Sequence, residues 1–276
     1  MMHLEDNTMK RIIRYFNILG TFSKNCLIGY LEYRSNFYME FISECVFVLM
    51  KLVYFYSIYR LQLFSDSQSS IFNPSYLLIL SGSYLILTGI FVGFLLMNFV
   101  DLSTQIKDGT LDLLLVKPIS AQFGISFRRF QFAAAIPNLA VGLVLFIKGI
   151  KGLNVIWYSI IIYILLMVCA MVLTYSIFLI FQLSAFWFVK TQALGFFFET
   201  VWDYNNMPMQ IYPKAMIISL IYIVPLFVVS NYPALGLINQ LKVLDVIWGV
   251  LISCIMFFLC RRFWSISVKK YSSASS

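Results

Sequence analysis

Six apolar segments, each close to the length that crosses a bilayer, divide this chain and leave few alternatives for its fold. They cover residues 41–61, 75–100, 130–147, 155–181, 215–230 and 243–259. A helix needs roughly 20 mostly apolar residues to cross the hydrocarbon core, and only helices or closed barrels satisfy the backbone there. The pattern predicts an all-α integral membrane protein with six transmembrane helices.

The composition agrees with a membrane protein and argues against a soluble or nucleic-acid-binding one. Hydrophobic residues make up 61% of the chain and charged residues 12%, far from the balance of soluble domains. The net charge is +8, but the basic residues are scattered between apolar segments, which suits anionic lipid headgroups better than a nucleic acid. The five cysteines have no paired spacing, so no disulfide framework is expected.

The segments divide the chain into three predicted regions. Residues 1–40 alternate basic and apolar side chains, which predicts a cytoplasmic N-terminus with an amphipathic helix in the membrane interface. Residues 41–263 form the six-span domain, and residues 264–276 are a cytoplasmic tail. Basic residues are concentrated on the side of both termini, whereas Arg60, Lys148, Lys151 and Lys242 fall on the other side. The positive-inside rule therefore places both termini in the cytoplasm.

One polar stretch between the second and third spans, here called loop 101–123, contains signals for a short and well-delimited helix. Asp108-Gly109 predicts a break, and Thr110 is a candidate N-cap. Asp112 stands where the helix dipole favours an anion, and Lys117-Pro118 ends the helix.

The leucines of this helix define an apolar face. Leu111, Leu114 and Leu115 follow i, i+3, i+4 spacing, and Leu113 and Val116 broaden the face. Such a face either fills a groove on a partner protein or lies on lipid headgroups.

Two motifs resemble the six-span, type-2 ATP-binding-cassette (ABC) exporter permeases. KDGTLDLLLVKPIS, within loop 101–123, is similar to the cytoplasmic loop of that family, and YPKAMIISLIYIVPLFVVSNYPALGLI, residues 212–238, resembles its penultimate span and following loop. Met207 stands before Pro208 where the family pattern has an aromatic residue. The resemblance covers most of the chain from about residue 41 onward.

The resemblance implies a transport subunit of the cell (inner) membrane, not an enzyme. It implies an N-terminal elbow helix, a cytoplasmic coupling helix, a second permease chain and a separate ATPase that binds ATP and Mg²⁺, with no cofactor on this chain. The coupling residues it implies are Asp108, Gly109, Leu111, Asp112, Leu114, Leu115, Lys117 and Pro118. Asp108, Gly109 and Pro118 would fix the helix, while Leu111, Leu114 and Leu115 would fill a groove on the ATPase.

Three charged residues lie on one face of the first predicted span: Glu40, Glu44 and Lys51. A charge at the bilayer centre costs roughly 3 kcal/mol on insertion scales, so these side chains should face protein or a wet cavity. A Glu44–Lys51 ion pair is the favoured interpretation, and a substrate or gating contact is the alternative.

No catalytic, nucleotide-binding or metal-binding motif is evident. The sole histidine is His3, and neither GxxxxGK[ST] nor GxGxxG occurs. The remaining carboxylates are expected at the cytoplasmic interface, in capping and solvation roles; they are Asp101, Asp108, Asp112, Glu199 and Asp203.

Two other functions fit a six-span chain. An ion-coupled secondary transporter would need ionisable residues near the midplane, and Glu44 and Lys51 are the only candidates. A non-transporting membrane scaffold would need none. The apolar spans favour an apolar or amphipathic cargo, although the same side chains also suit contact with lipid.

Overall fold

A computed structural model describes residues 2–63, 74–153, 155–187 and 200–271. Within these ranges the secondary structure is helical, as the sequence predicts. The first half contains α1 (Met2–Glu32), α2 (Arg34–Leu63), α3 (Pro74–Phe91), a π-helical turn (Val92–Leu96), α4 (Met97–Lys107), α5 (Asp112–Leu115) and α6 (Ala121–Ser126). The second half contains α7 (Phe132–Lys151), α8 (Trp157–Leu183), α9 (Lys214–Tyr222), α10 (Phe227–Leu237) and α11 (Val243–Lys270).

Four described helical segments are long and apolar enough to cross a membrane. They are Pro74–Ile106, Phe132–Lys151, Trp157–Phe186 and Val243–Lys270. The first joins α3, the π-helical turn and most of α4 into one rod. The pair α9 and α10 gives a fifth candidate only if its two helices, bent by 99°, count as one span.

Glycines bring α3 and α7 into backbone contact. A Cβ placed on Gly82 would lie 2.7 Å from the Phe146 nitrogen, and one on Gly93 would lie 2.6 Å from the Ala135 Cβ. Gly89 likewise faces α7. The Gly89-xxx-Gly93 spacing predicts a close approach to another helix, either of a second subunit or of the same chain, and in the structure the neighbour is α7 of the same chain.

The predicted fifth span, residues 215–230, is not a straight crossing. Met209 donates its N–H to Asn231 Oδ1 (2.8 Å), which also accepts from the Tyr76 hydroxyl (3.3 Å) near the start of α3. Beyond α10, Asn239 Oδ1 accepts from Ser159 at the start of α8 (2.7 Å). Residues before and after the α9–α10 pair thus lie at the same end of the bundle, so the pair enters and returns.

Trp187 and Met209 lie at opposite ends of the bundle. Trp187 stacks on Phe263 (5.0 Å between ring centroids) and lies below the Lys270 ammonium (5.8 Å), near the C-terminal end of α11. Met209 lies at the opposite end, beside Tyr76. The predicted interfacial helix and loop of residues 190–214 is therefore wrong for the stretch from Trp202 to Met209, which packs along the bundle beside Phe91 and Tyr84. Glu199 is outside the described residues.

Candidate functional site

Within loop 101–123, residues 101–107 continue α4, and a sharp turn follows at Asp108-Gly109. The Asp108 N–H donates to the Thr104 carbonyl (2.9 Å), and the next residue, Gly109, has φ 69°. This left-handed conformation is disfavoured for residues with a Cβ, so glycine suits it. The predicted break at Asp108-Gly109 is confirmed.

The predicted helix is a single turn, α5. Asp112 stands in this turn, and the turn ends at Leu115, before Lys117-Pro118, as the sequence predicts. The predicted cap is wrong: the N-cap residue is Leu111, and no side chain caps the turn. Thr110 is exposed instead.

The leucine face of α5 points into the chain's own core. Leu111 is 0% exposed and Leu114 is 4% exposed, and both belong to the core cluster that includes Leu102 and Ile125. Leu115 is half-buried and packs against the same cluster. The expectation that these leucines fill a partner's groove is therefore wrong for Leu111 and Leu114, because side chains of this chain already cover them.

The opposite side of the turn is accessible. Leu113 is 70% exposed and Val116 is 85% exposed. Lys117 and Pro118 continue this surface and are also exposed. We call Leu113, Val116, Lys117 and Pro118 the outer face of α5.

Helix α1 holds the second half of the loop. Arg14 donates from Nη2 to the Pro118 carbonyl (3.0 Å), and the Tyr15 hydroxyl accepts from the Ser120 N–H (3.2 Å). The Tyr15 ring meets Phe123 edge-on at 4.7 Å. The contacts place α1 along loop 101–123, a position that the amphipathic pattern of α1 does not specify.

The end of α11 lies beside α5. The Tyr271 hydroxyl lies next to the Asp112 carboxylate, and its ring meets Phe186 edge-on at 5.9 Å. Partial burial, and then the nearby Asp112 charge, raise the pKa of the Tyr271 phenol. Asp112 thus lies near a part of the chain that is distant in sequence, besides lying in the first turn of α5.

A polar clamp joins the two ends of the loop. Asn98 donates from Nδ2 to the Arg129 carbonyl and accepts at Oδ1 from the Arg129 N–H, both at 2.7 Å. Arg129 also forms a 2.6 Å salt bridge with Asp101. Asn98 is 3% exposed, and an asparagine in an apolar helix gives no sequence signal for this partner.

The π-helical turn adds a further bond between the same two helices. A π-helical turn breaks the regular i to i−4 hydrogen-bond ladder and leaves backbone groups for other partners. The Gly93 carbonyl accepts from the Gln131 N–H just before α7 (2.8 Å). These bonds therefore fix the distance between the two points at which loop 101–123 leaves and rejoins the helix bundle.

The charged residues of α2 face protein, as predicted, but they do not pair with one another. Glu40 accepts from the Tyr30 hydroxyl (3.2 Å), and Glu44 accepts from Asn138 Nδ2 on α7 (2.5 Å). Lys51 lies over the Tyr84 ring, 5.3 Å from its centroid. Among the described residues no Glu44–Lys51 salt bridge forms within 4.0 Å, because Glu44 has a nearer partner in α7.

Asp203 also departs from its predicted place at the cytoplasmic interface. Its Oδ1 accepts from the Tyr84 hydroxyl (3.2 Å), and the preceding residue, Trp202, packs against the Phe91 ring (5.7 Å between centroids). Asp203 thus lies among the long helices, near Lys51.

A family model described as ABC-2 family transporter protein matches residues 45–275. The chain belongs to the ABC-2 transporter family. The match begins within α2 and includes loop 101–123 and every helix from α3 to α11. No curated protein and no solved structure matches the chain significantly.

Membership of the ABC-2 family confirms the resemblance to type-2 ABC permeases. The chain is a membrane protein that crosses the bilayer several times, and the family is one of transport subunits rather than catalysts. The α1 helix, which hydrogen-bonds to loop 101–123, precedes the matched range.

Proposed function

We propose that this ABC-2 chain is the permease subunit of an ATP-driven exporter. Two such chains, identical or related, would form the translocation path, and each would bind a separate ATPase that carries ATP and Mg²⁺. Family membership supports the permease role, and export follows the resemblance of the two sequence motifs.

We propose six crossings, with both termini in the cytoplasm. Five are α2, the rod formed by α3 and α4, α7, α8 and α11. The sixth would include residues 200–209, because Trp187 and Met209 lie at opposite ends of the bundle. The α9–α10 pair would then be re-entrant from the outer side, and the positive-inside rule puts loop 101–123 in the cytoplasm.

The observation that carries the proposal is the outer face of α5. It exposes Leu113 and Val116 on a turn that is tied to α4 by the bond from the Leu111 N–H to the Gln105 carbonyl (3.2 Å) and is followed by Pro118, which Arg14 of α1 holds. A large exposed apolar side chain on a braced loop suits docking of a partner protein. Force applied there would reach α4 and α7 through the Asn98–Arg129 clamp, as a rigid-body movement.

The structure changes the roles that we assign within the motif. Leu111 and Leu114 anchor α5 in the permease core, and Leu115 supports them. Asp108 and Gly109 shape the turn, while Asp112 lies beside Tyr271, just after α11. Leu113, Val116 and Lys117 are left to contact the ATPase, with Pro118 at the edge.

A docking experiment tests the proposal. The tagged full-length chain is purified from its native membranes, and the co-purifying Mg²⁺-ATP hydrolysis is measured. Val116→Asp should reduce that hydrolysis at least about tenfold, because docking of the ATPase would then bury an unpaired carboxylate in the interface. Asn25→Asp adds the same charge at an exposed position of α1 and should leave the hydrolysis unchanged.

Two results would contradict the proposal. One is unchanged co-purification of the ATPase with Val116→Asp. The other is substrate flux through reconstituted wild-type protein that needs no nucleotide and follows a proton or sodium gradient, as a secondary transporter would. Leu114→Asp cannot serve here, because Leu114 is buried and its replacement disturbs the core.

A further inference from the structure

A polar group of side chains lies among the long helices, away from loop 101–123. Lys51 of α2 places its ammonium over the Tyr84 ring. Asp203 accepts at Oδ1 from the Tyr84 hydroxyl (3.2 Å) and from Asn206 Nδ2 (3.5 Å). Tyr84 is fully buried and Asn206 is 6% exposed. Three segments distant in sequence therefore meet here.

This group has hydrogen-bonding capacity that the protein does not use. Among the described residues, Lys51 has no hydrogen bond or salt bridge to its ammonium, which carries three donors. The Asn206 Oδ1 atom is buried and has no partner. Both hydrogen bonds described for Asp203 end on Oδ1. A buried acceptor without a partner, such as Asn206 Oδ1, is costly unless a ligand or water satisfies it.

The three side chains open into a cavity of about 350 Å³. Lys51, Asp203 and Asn206 supply its polar wall, and Phe47 and Met50 of α2 supply part of its apolar wall. The cavity therefore offers a cation, an anion and a neutral acceptor within one small space. A group that carries both charges would satisfy more of them than a singly charged group.

A second cavity, of about 370 Å³, adjoins the first at Asn206. Its walls are mostly apolar and include Leu52, Phe55, Leu145 and Pro208. One cavity thus suits a polar headgroup and the other an apolar chain, with Asn206 between them.

We propose that these two cavities form a binding site for a zwitterionic amphiphile. The anionic part of the headgroup would lie at Lys51, the cationic part at Asp203, and the apolar chain in the cavity lined by Leu52 and Phe55. Such a ligand satisfies the Lys51 ammonium and the Asn206 acceptor, and it buries apolar surface in the adjoining cavity. Only the use of this site for cargo depends on the proposed transport function; binding itself does not.

Reciprocal charge removal tests the site. Native mass spectrometry of the full-length chain in a short-chain non-ionic detergent measures the binding of four single-chain probes. They are lysophosphatidylethanolamine (zwitterionic), lysophosphatidic acid (anionic), a long-chain alkylamine (cationic) and monoacylglycerol (neutral). The wild-type protein should bind the zwitterionic probe most tightly.

Two variants, Lys51→Met and Asp203→Asn, should lose affinity for different probes. Lys51→Met should weaken the binding of the zwitterionic and anionic probes about tenfold or more, because their charged partner is lost. The binding of the alkylamine should not change. Asp203→Asn should weaken the binding of the zwitterionic probe and of the alkylamine by a similar factor, and it should not weaken the binding of lysophosphatidic acid. Lys151→Met, at an exposed lysine, controls for non-specific attraction of anionic lipids and should change nothing.

Two outcomes would overturn the site. One is equal wild-type affinity for monoacylglycerol and lysophosphatidylethanolamine. The other is that each variant weakens all four probes alike, since that would indicate a structural role for Lys51 and Asp203. The measurement needs neither ATPase nor nucleotide, so failure of ATPase docking and failure of this site are distinguishable.

Discussion

Replacement of Gly82 by alanine should destabilise the bundle, although alanine is the better helix former. The new Cβ would lie 2.7 Å from the Phe146 nitrogen and 2.8 Å from the Gly142 carbonyl oxygen. Both are backbone atoms of α7, so no side-chain rotation can relieve the overlap. The two helices must separate, and overpacking of this kind costs about 1–3 kcal/mol.

The net effect follows from two opposing contributions. Alanine recovers about 0.5–1 kcal/mol of helix propensity over glycine, whereas rigid backbone neighbours put the overpacking near the top of its range. We expect Gly82→Ala to lower the free energy of unfolding by about 2 kcal/mol. Gly29→Ala is the matched control, because nothing lies within 4 Å of its new Cβ; it should be neutral or stabilise by up to about 1 kcal/mol.

Equilibrium unfolding in mixed micelles, followed by circular dichroism, measures both changes. Gly142→Ala supplies a second test, since its Cβ would lie 3.0 Å from the Gly82 carbonyl oxygen. One separation of α3 from α7 accommodates both methyl groups, so the double variant should lose less stability than the sum of the single variants. Wild-type or greater stability of Gly82→Ala would refute the backbone contact.

Three further predictions concern the supports of loop 101–123. Asn98→Ala should lower the free energy of unfolding by about 1–3 kcal/mol, because both Arg129 backbone groups lose a buried partner, and thermal unfolding in detergent measures the loss. The raised pKa of Tyr271 means that the folded state binds the phenol proton more tightly than the unfolded state does. The free energy of unfolding should therefore fall as pH rises above about 10, the ordinary tyrosine value. Tyr271→Phe should remove this dependence in unfolding curves measured at a series of pH values. Tyr15→Ala removes a ring contact and a hydrogen bond, so hydrogen exchange should accelerate in α1 and in α6 but not in α8.

Turn geometry in loop 101–123 could be read from the sequence, because it depends on neighbouring residues alone. Gly109 tolerates a left-handed backbone, and Lys117-Pro118 follows the end of a helical turn, whatever surrounds them. The direction of the leucine face could not be read. The spacing of Leu111 and Leu114 predicts an apolar face, but it does not say whether this chain or another protein covers it.

The fifth span shows a second limit of sequence patterns. Every residue of α10 is buried within the protein, so its apolar composition resembles that of a helix in lipid. Asp203 and Asn205 have the opposite property, since they are polar residues that hydrogen-bond to side chains of the bundle. Their partners, Tyr84 and Ser230, lie in other helices, and hydropathy along the chain cannot include partners of that kind.

The sequence by itself determined the helical membrane class, the break at Asp108-Gly109 and the end of the α5 turn before Lys117-Pro118. These features depend on local conformation and on the free energy of transfer from water, which each segment carries alone. Only the tertiary structure decided which face of α5 is exposed, that Glu44 binds Asn138 while Lys51 lies near Asp203, and that Trp187 and Met209 lie at opposite ends of the bundle. Those outcomes depend on which distant side chain is nearest, and a buried polar or apolar group is stabilised by whichever partner the fold brings to it.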